Sequence, residues 1–166
     1  MSAKCENPLK YILNVLYHNP AIIWVSKRSI EAQVMPGLWQ TVCKKIEPDE
    51  KSAEACRRET LEETGISLSL NRIKKVFNDS QFNCDVYITK LRDEETPRWT
   101  EADKARPWKV IGQKKYFEWT GKRIMTPTHV NHCIKIIKAL YEDSMKSSID
   151  PLEEHEYVYK YNEIDK

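Results

Sequence analysis

The chain has 166 residues, of which 40% are hydrophobic and 31% are charged, a composition that predicts one globular domain with a hydrophobic core. The 27 basic and 25 acidic residues nearly cancel, giving a formal net charge of +2. This balance excludes a chain-wide electrostatic field directed at nucleic acid or a membrane. We expect the domain to cover residues 1–147, and residues 148–166 to form a charged tail or a loosely docked arm.

Targeting signals and cysteines bear on the compartment. No uninterrupted apolar stretch is long enough for a signal peptide or a membrane span, and the five scattered cysteines match neither a disulfide framework nor a zinc site. We therefore expect a cytoplasmic or nuclear protein with reduced thiols. The four histidines lack metal-ligand spacing, so we expect them in turns, on a helix surface and in the tail.

The first part of the chain reads as strands and a loop. Leu9–Tyr17 and Ala21–Ser26 are rich in β-formers and are separated by a turn signal, which predicts two strands. Pro36-Gly37 interrupts Ser29–Leu38, so this segment is predicted to be a loop. A short strand is expected over Trp39–Cys43.

One helix stands out in the middle of the chain. Ser52–Thr64 contains no glycine or proline, and Gly65 follows in the usual position of a helix stop. Ser52 is the expected N-cap, and Glu54 suits the positive end of the helix.

The second half mixes strands, a loop and a helix. Ile66–Leu70, Arg72–Phe77 and Cys84–Leu91 alternate partially and are predicted to be strands of a mixed sheet. Asp93–Lys109 is a polar loop with two tryptophans, which favours contact with a ligand. Apolar residues at helical spacing over Thr128–Met145 predict an amphipathic helix that covers the sheet.

Three carboxylates share one face of the central helix. Glu59, Glu62 and Glu63 stand at positions i, i+3 and i+4, which brings like charges together. Hard Mg²⁺ or Mn²⁺ ions turn such a cluster into a favourable oxygen-ligand site. Arg58 precedes the cluster, and we expect it to pair with Glu50 in the preceding loop and to orient loop and helix.

Residues 44–66 resemble the Nudix box, whose pattern is Gx5Ex7REUxEExGU with U a bulky aliphatic residue, and they align with it without a gap. The matching residues are Glu50, Arg58, Glu59, Glu62, Glu63, Gly65 and Ile66. Two residues depart from the pattern. Thr60 occupies the first U position, which is a mild change. Lys44 replaces the first glycine, and it either deforms the loop or adds a phosphate-binding ammonium.

The resemblance implies the Nudix fold, an α/β/α sandwich with a mixed β-sheet, and a set of metal ligands. The family places a backbone carbonyl before the first glycine on the metal, and Cys43 holds that position. Thr100–Lys104 and Trp108 resemble a segment of MutT-like nucleotide hydrolases, which would make Glu101 a further ligand. The implied ligands of Mg²⁺ or Mn²⁺ are therefore Cys43, Glu59, Glu62, Glu63 and Glu101.

The activity implied by the resemblance is hydrolysis of a diphosphate linkage in a nucleoside triphosphate, including an oxidised or noncanonical one, to the monophosphate and pyrophosphate. Glu59 would act as general base. Lys45 is preferred over the pair Lys27-Arg28 for a phosphate contact. Candidate surfaces for stacking on the organic half are Trp24, Trp39, Phe82 and, as first choice, Trp108.

Two alternatives stay open at this point. The first is a hydrolase of dinucleoside polyphosphates, diphosphoinositol polyphosphates, a capped RNA end or a dinucleotide. The second is a non-catalytic Nudix-fold nucleotide-binding module in which Lys44 has disabled metal placement. In each case the expected partner is a small molecule, with no membrane and no strong nucleic-acid signal, and a homodimer stays open.

Overall fold

The computed structural model describes residues 10–146, so the segment 148–166 lies outside the described residues. The elements in chain order are β1 (Tyr11–Tyr17), β2 (Ile22–Lys27), β3 (Trp39–Gln40), β4 (Val42–Lys45), α1 (Ser52–Thr64), a 3-10 turn (Leu70–Arg72), β5 (Lys74–Asp79), β6 (Cys84–Lys90), β7 (Lys109–Gly112), α2 (Gln113–Gly121) and α3 (Pro127–Lys146). Four strands form a mixed sheet in the order β4-β1-β6-β5, where β1 and β6 are parallel. A second, antiparallel sheet has the order β3-β2-β7.

The central strand β1 divides the core into two layers. Its residues Leu13, Val15 and Tyr17 belong to the hydrophobic cluster that includes α2 and α3. Its residues Ile12 and Leu16 belong to the cluster that includes α1. Because side chains alternate across a strand, helices cover both faces of the mixed sheet. No helix within residues 10–146 is long and apolar enough to cross a membrane.

Several predicted elements need correction. The expected strand Ile66–Leu70 is irregular chain that enters the 3-10 turn, although Ile66 and Leu68 are buried in the cluster below α1. Burial without a neighbouring strand produced the misleading alternation. The strand expected over Trp39–Cys43 is divided at Thr41 between the two sheets. β7 and α2 were not predicted from the sequence.

The surroundings of Thr60 explain how the chain accommodates threonine where the Nudix box has an aliphatic residue. Thr60 is fully buried, and its hydroxyl donates to the Cys56 carbonyl oxygen at 2.7 Å. The Asn14 amide donates to the same hydroxyl at 3.1 Å, and Asn14 accepts a bond from Thr89. The hydroxyl is therefore satisfied inside the core, as a buried polar group requires.

The start of α1 is fixed differently from the expected N-cap. Lys51 holds the cap position without a side-chain bond, and Ser52 is the first helical residue. The Ser52 hydroxyl donates to Asp85 at 2.6 Å instead. Asp85 is fully buried, and it also receives bonds from Asn78 (2.8 Å) and from the Lys10 ammonium (3.0 Å). Burial alone would raise the pKa of Asp85, but these donors hold it below its usual value.

The strand β5 forms one edge of the mixed sheet. Its ladder with β6 shifts register between Lys75 and Phe77, as in a β-bulge. Lys74 forms an ion pair with Asp143 of α3, and Lys75 forms one with Asp85 at 3.2 Å. The two lysines thus point to opposite faces of the sheet.

His129 was expected on a helix surface, but it is completely buried near the start of α3. Its ring nitrogens contact the hydroxyls of Thr41 at 3.0 Å and Tyr116 at 2.8 Å. Burial lowers the pKa of His129 to about 3, so the ring is neutral at physiological pH. It joins the strands to α2 and α3 by hydrogen bonds.

Candidate active site

Two of the three clustered carboxylates have a buried oxygen that lacks a partner among residues 10–146, although Glu63 as a whole is half-buried. Glu59 is 4% exposed, whereas the side chain of Glu62 is 51% exposed. These oxygens are Glu59 Oε2 and Glu63 Oε2, which accept no hydrogen bond from the part of the chain that the structure describes. Burial raises the pKa of Glu63 well above its usual range, and the negative charge of Glu59 adds to this. Burial also raises the pKa of Glu59, against the attraction of Arg58.

Arg58 links the loop before α1 to the carboxylate face. Its guanidinium makes a two-pronged contact with Glu50, at 2.7 and 2.8 Å, so the expected ion pair is present. One nitrogen also bonds Glu59 at 2.6 Å and reaches Glu62 at 3.3 Å. The bond from Arg58 lowers the pKa of Glu50. Loop and helix are therefore held as one unit.

A cavity of about 400 Å³, here called the carboxylate cavity, opens beside Glu63. Its wall includes Cys43, Lys44, Glu63, Glu101 and Trp108. Burial raises the pKa of the Cys43 thiol to about 12, and the charge of Glu63 adds to this, so the side chain is a neutral thiol. Hard divalent cations prefer oxygen ligands, and the oxygen that Cys43 offers is its backbone carbonyl.

Lys44 lies in regular strand geometry and not in a deformed loop. It belongs to β4, opposite Ile12 in the antiparallel ladder, and it is not among the described residues with positive φ. Its positive charge acts on Glu59 and Glu63, where it opposes the effect of burial on their pKa values. The side chain thus introduces a cation beside the carboxylates.

A second cavity, here called the apolar cavity, has a volume of about 490 Å³ and adjoins the first. Its lining includes Leu13, Met35 and Phe82, with Lys45 at its wall. Arg28, Val34, Gln40, Cys43 and Lys44 line both cavities. The pair of spaces suits a ligand with an apolar ring at one end and anionic groups at the other.

Comparisons with known proteins decide the family. Residues 11–122 match the family described as NUDIX domain. The chain belongs to the Nudix family. Nudix proteins are hydrolases, and the predicted Nudix fold with a mixed sheet is confirmed. No curated protein sequence shows significant similarity to this chain.

Solved structures agree on the Nudix fold at low identity. A protein from Deinococcus radiodurans is 15% identical with a TM-score of 0.61, and the match covers 84% of this chain and 90% of that one. The MutT protein from Methanosarcina mazei is 16% identical with a TM-score of 0.55, covering 84% and 98%. A MutT/nudix family protein from Enterococcus faecalis is 18% identical with a TM-score of 0.53, covering 68% of this chain and 46% of that one. The match to this third protein thus spans less than half of its length.

The predicted aromatic contacts separate into two groups in this Nudix domain. Phe82 lines the apolar cavity and Trp108 lines the carboxylate cavity. Trp24 packs against the cluster below α1, and Trp39 stacks on Trp119 with ring centroids 4.5 Å apart. Neither of these two rings lines either cavity. The sequence favoured Lys45 over Arg28 for a phosphate contact. In the structure, Arg28 lines both cavities, whereas Lys45 lines only the apolar cavity. The position of Arg28 directly after β2 was the sequence feature that could have indicated this.

The donor set fits a hard divalent cation by chemistry. Within residues 10–146, no three His, Cys, Asp or Glu side chains are close enough to hold one ion. Glu59 and Glu62 instead form ion pairs with Arg58. However, the partnerless oxygens of Glu59 and Glu63 are the ligand type that Mg²⁺ and Mn²⁺ prefer. Glu101 lies on the same cavity and acts electrostatically on Glu63.

Proposed function

We propose that the chain hydrolyses a diphosphate linkage in a nucleoside triphosphate, including an oxidised or noncanonical one, and releases pyrophosphate and the monophosphate. The observation that carries this proposal is the pair of buried, partnerless carboxylate oxygens on Glu59 and Glu63. Buried carboxylate oxygens without partners are costly, so their presence favours a cationic ligand.

Three glutamates of the Nudix box and two residues outside it are the proposed metal ligands. Glu59, Glu62, Glu63, Glu101 and the Cys43 carbonyl would hold Mg²⁺ or Mn²⁺. When bound, the cation supplies charge neutralisation at phosphate oxygens and lowers the pKa of a water molecule.

Glu59 Oε2 is the proposed acceptor of the proton from the attacking water. This oxygen has no partner among residues 10–146, so it is free to accept a hydrogen bond from water. Arg58 and Glu50 keep Glu59 in orientation through their ion pair.

Substrate binding is assigned to the two adjoining cavities. The phosphates would lie in the carboxylate cavity, near the ammonium of Lys44 and the guanidinium of Arg28. The organic half would lie in the apolar cavity against Phe82, with Lys45 at its wall. A planar ring gains from such apolar enclosure and aromatic contact.

A second candidate is a non-catalytic nucleotide-binding module, and Lys44 is the observation that favours it. An ammonium beside Glu59 and Glu63 competes with a metal ion for the same negative charge. Retention of all three clustered carboxylates favours catalysis, because an unneeded cluster of like charges destabilises a helix.

The proposed compartment is the cytoplasm or nucleus. Cys43, Cys56, Cys84 and Cys133 are free thiols, which suits a reducing environment. Imaging of a fluorescent fusion tests this, and secretion of the fusion would contradict it.

The deciding experiment measures phosphate and pyrophosphate release from nucleoside triphosphates, dinucleoside polyphosphates and diphosphoinositol polyphosphates, with Mg²⁺, Mn²⁺ or EDTA. Metal-dependent pyrophosphate release from one nucleoside triphosphate supports the proposal and names the base. Activity only in the Lys44→Gly variant would identify a disabled enzyme. Nucleotide binding without turnover in both proteins would favour the binding module.

A further inference from the structure

Three consecutive backbone carbonyls at the end of α1 accept hydrogen bonds from one connecting segment, residues 98–108, here called the strap. The bonds join Arg98 N to Thr64 O (2.8 Å), Thr100 Oγ1 to Glu62 O (2.6 Å) and Trp108 Nε1 to Glu63 O (3.0 Å). The last four carbonyls of an α-helix have no partner within the helix. The strap therefore satisfies groups that α1 itself leaves open.

Gly65 allows the strap to approach the helix end. Its φ is +76°, and a Cβ atom added there would lie 2.6 Å from Arg98 Nη2. The guanidinium thus covers the helix terminus, where the helix dipole favours a cation. The last glycine of the Nudix box serves both the left-handed turn and the contact with Arg98.

The strap is anchored on its other side by β2 and the residues after it. Arg106 N donates to Lys27 O at 2.8 Å, and Ser29 N donates to Lys104 O at 2.9 Å. Between the two anchors, Glu101 O accepts bonds from the amides of Lys104 and Ala105, both at 3.0 Å. The backbone of Glu101 is consequently fixed between α1 and β2.

Resting on the proposed function, we infer that the strap sets the spacing between the carboxylates of Glu63 and Glu101, with Thr100 and Trp108 as positioning residues. Both carboxylates line the carboxylate cavity, and their like charges repel when no cation lies between them. The strap resists that repulsion, because Trp108 bonds the backbone carbonyl of Glu63 while Thr100 bonds that of the preceding residue, Glu62. When the ligands are already held in place, less free energy is spent on ordering them, and the cation binds more tightly.

The first test measures Mn²⁺ affinity by electron paramagnetic resonance, without substrate. Thr100→Val removes the hydroxyl at constant shape, and Trp108→Phe removes the donor while an aromatic ring remains. Each variant is expected to bind Mn²⁺ about three- to tenfold more weakly, the effect of one lost hydrogen bond. Thr100→Ser restores the affinity, and Thr96→Val, an exposed change in the preceding loop, leaves it unaltered. Wild-type affinity in both Thr100→Val and Trp108→Phe overturns the inference, even where their thermal unfolding midpoints fall.

The second test needs no metal. The Arg98 amide bonds Thr64 O, so its hydrogen exchange in EDTA reports whether the strap is docked. Exchange is expected to be about three- to tenfold faster in Thr100→Val and Trp108→Phe, and unchanged in Thr96→Val. Should wild type bind no Mn²⁺, the proposed metal dependence fails, and the exchange rates alone decide the strap. Unchanged exchange in both variants overturns it.

Discussion

Buried carboxylates lie at both ends of α1, and the two ends differ in how completely the chain satisfies them. Asp85, below the first residue of the helix, receives bonds from Ser52, Asn78 and two lysines, and its pKa is held low. Near the other end, Glu59 and Glu63 each keep one buried oxygen without a partner, and their pKa values are raised.

The difference separates a structural carboxylate from an incomplete site. Asp85 is closed by donors of the chain itself, so its negative charge contributes to stability without a ligand. At Glu63 the nearby positive charges of Lys44 and Arg28 oppose the effect of burial, and no residue within 10–146 bonds Oε2 directly. Asp85 thus anchors the start of α1, whereas Glu59 and Glu63 each keep an oxygen that a cation could bind.

Charge removal at the open end is expected to have the largest effect. Glu63→Gln should lower metal-dependent hydrolysis by at least about 100-fold, because the carboxylate is a proposed ligand. Glu62→Gln is expected to act in the same direction. Fold and stability in EDTA should be retained or improved in Glu63→Gln, since a buried charge is removed. Circular dichroism and urea titration check this, with the exposed helix variant Glu54→Gln as control; full activity would contradict the site.

Charge removal at the closed end should affect stability and leave the metal site intact. Asp85→Asn is expected to lower the free energy of unfolding by about 2–3 kcal/mol, because it leaves donors in a buried cluster without their acceptor. Urea unfolding in EDTA measures the loss, with the exposed change Asp93→Asn as control. A stability equal to wild type would show that the cluster is dispensable.

The pH dependence of stability sharpens the same contrast. The folded-state pKa of Asp85 lies below its unfolded value of about 3.9, so its contribution is fully present above that pH and is lost as the pH falls. The stability difference between wild type and Asp85→Asn should therefore shrink from pH 6 to pH 2. Urea midpoints across this range measure it, and a constant difference would contradict the low pKa.

The smallest expected effect concerns the positively charged side chain of Lys44. Lys44→Met removes the ammonium and keeps an extended side chain, so Mn²⁺ should bind about three- to tenfold more tightly in the absence of nucleotide. Calorimetric titration measures the change, with Lys45→Met as the neighbouring control. Weaker Mn²⁺ binding in Lys44→Met would show that Lys44 assists the metal instead of competing with it.

Local spacing made part of this architecture predictable. The box residues fixed the helix, its glycine stop and the shared face of three carboxylates, because these depend on neighbours within one or two turns. The partner of Thr60 could not be foreseen, since Asn14 lies 46 residues away and meets it only after β1 packs below α1.

Side-chain roles were the least predictable part. For Trp108 the sequence suggested only stacking on a base; the bond from its indole nitrogen to the end of α1, between residues 45 positions apart, was not foreseen. Ser52 was expected to cap the helix, but its hydroxyl donates a hydrogen bond to Asp85, which lies 33 residues further along the chain. Residues 109–121 form β7 and α2. Their lysines obscure the apolar pattern in the sequence, but Tyr116 and Trp119 are buried in the hydrophobic core.

The lysine-bearing edge strand β5 bears on how copies of this protein meet one another. An open sheet edge is a template for pairing with a second molecule, and such pairing leads to aggregation. The bulge between Lys75 and Phe77 interrupts the regular row of donors and acceptors that a foreign strand would need. Flanking lysines add bulk and charge on both faces. Concentrated solutions should therefore resist association by strand pairing at this edge.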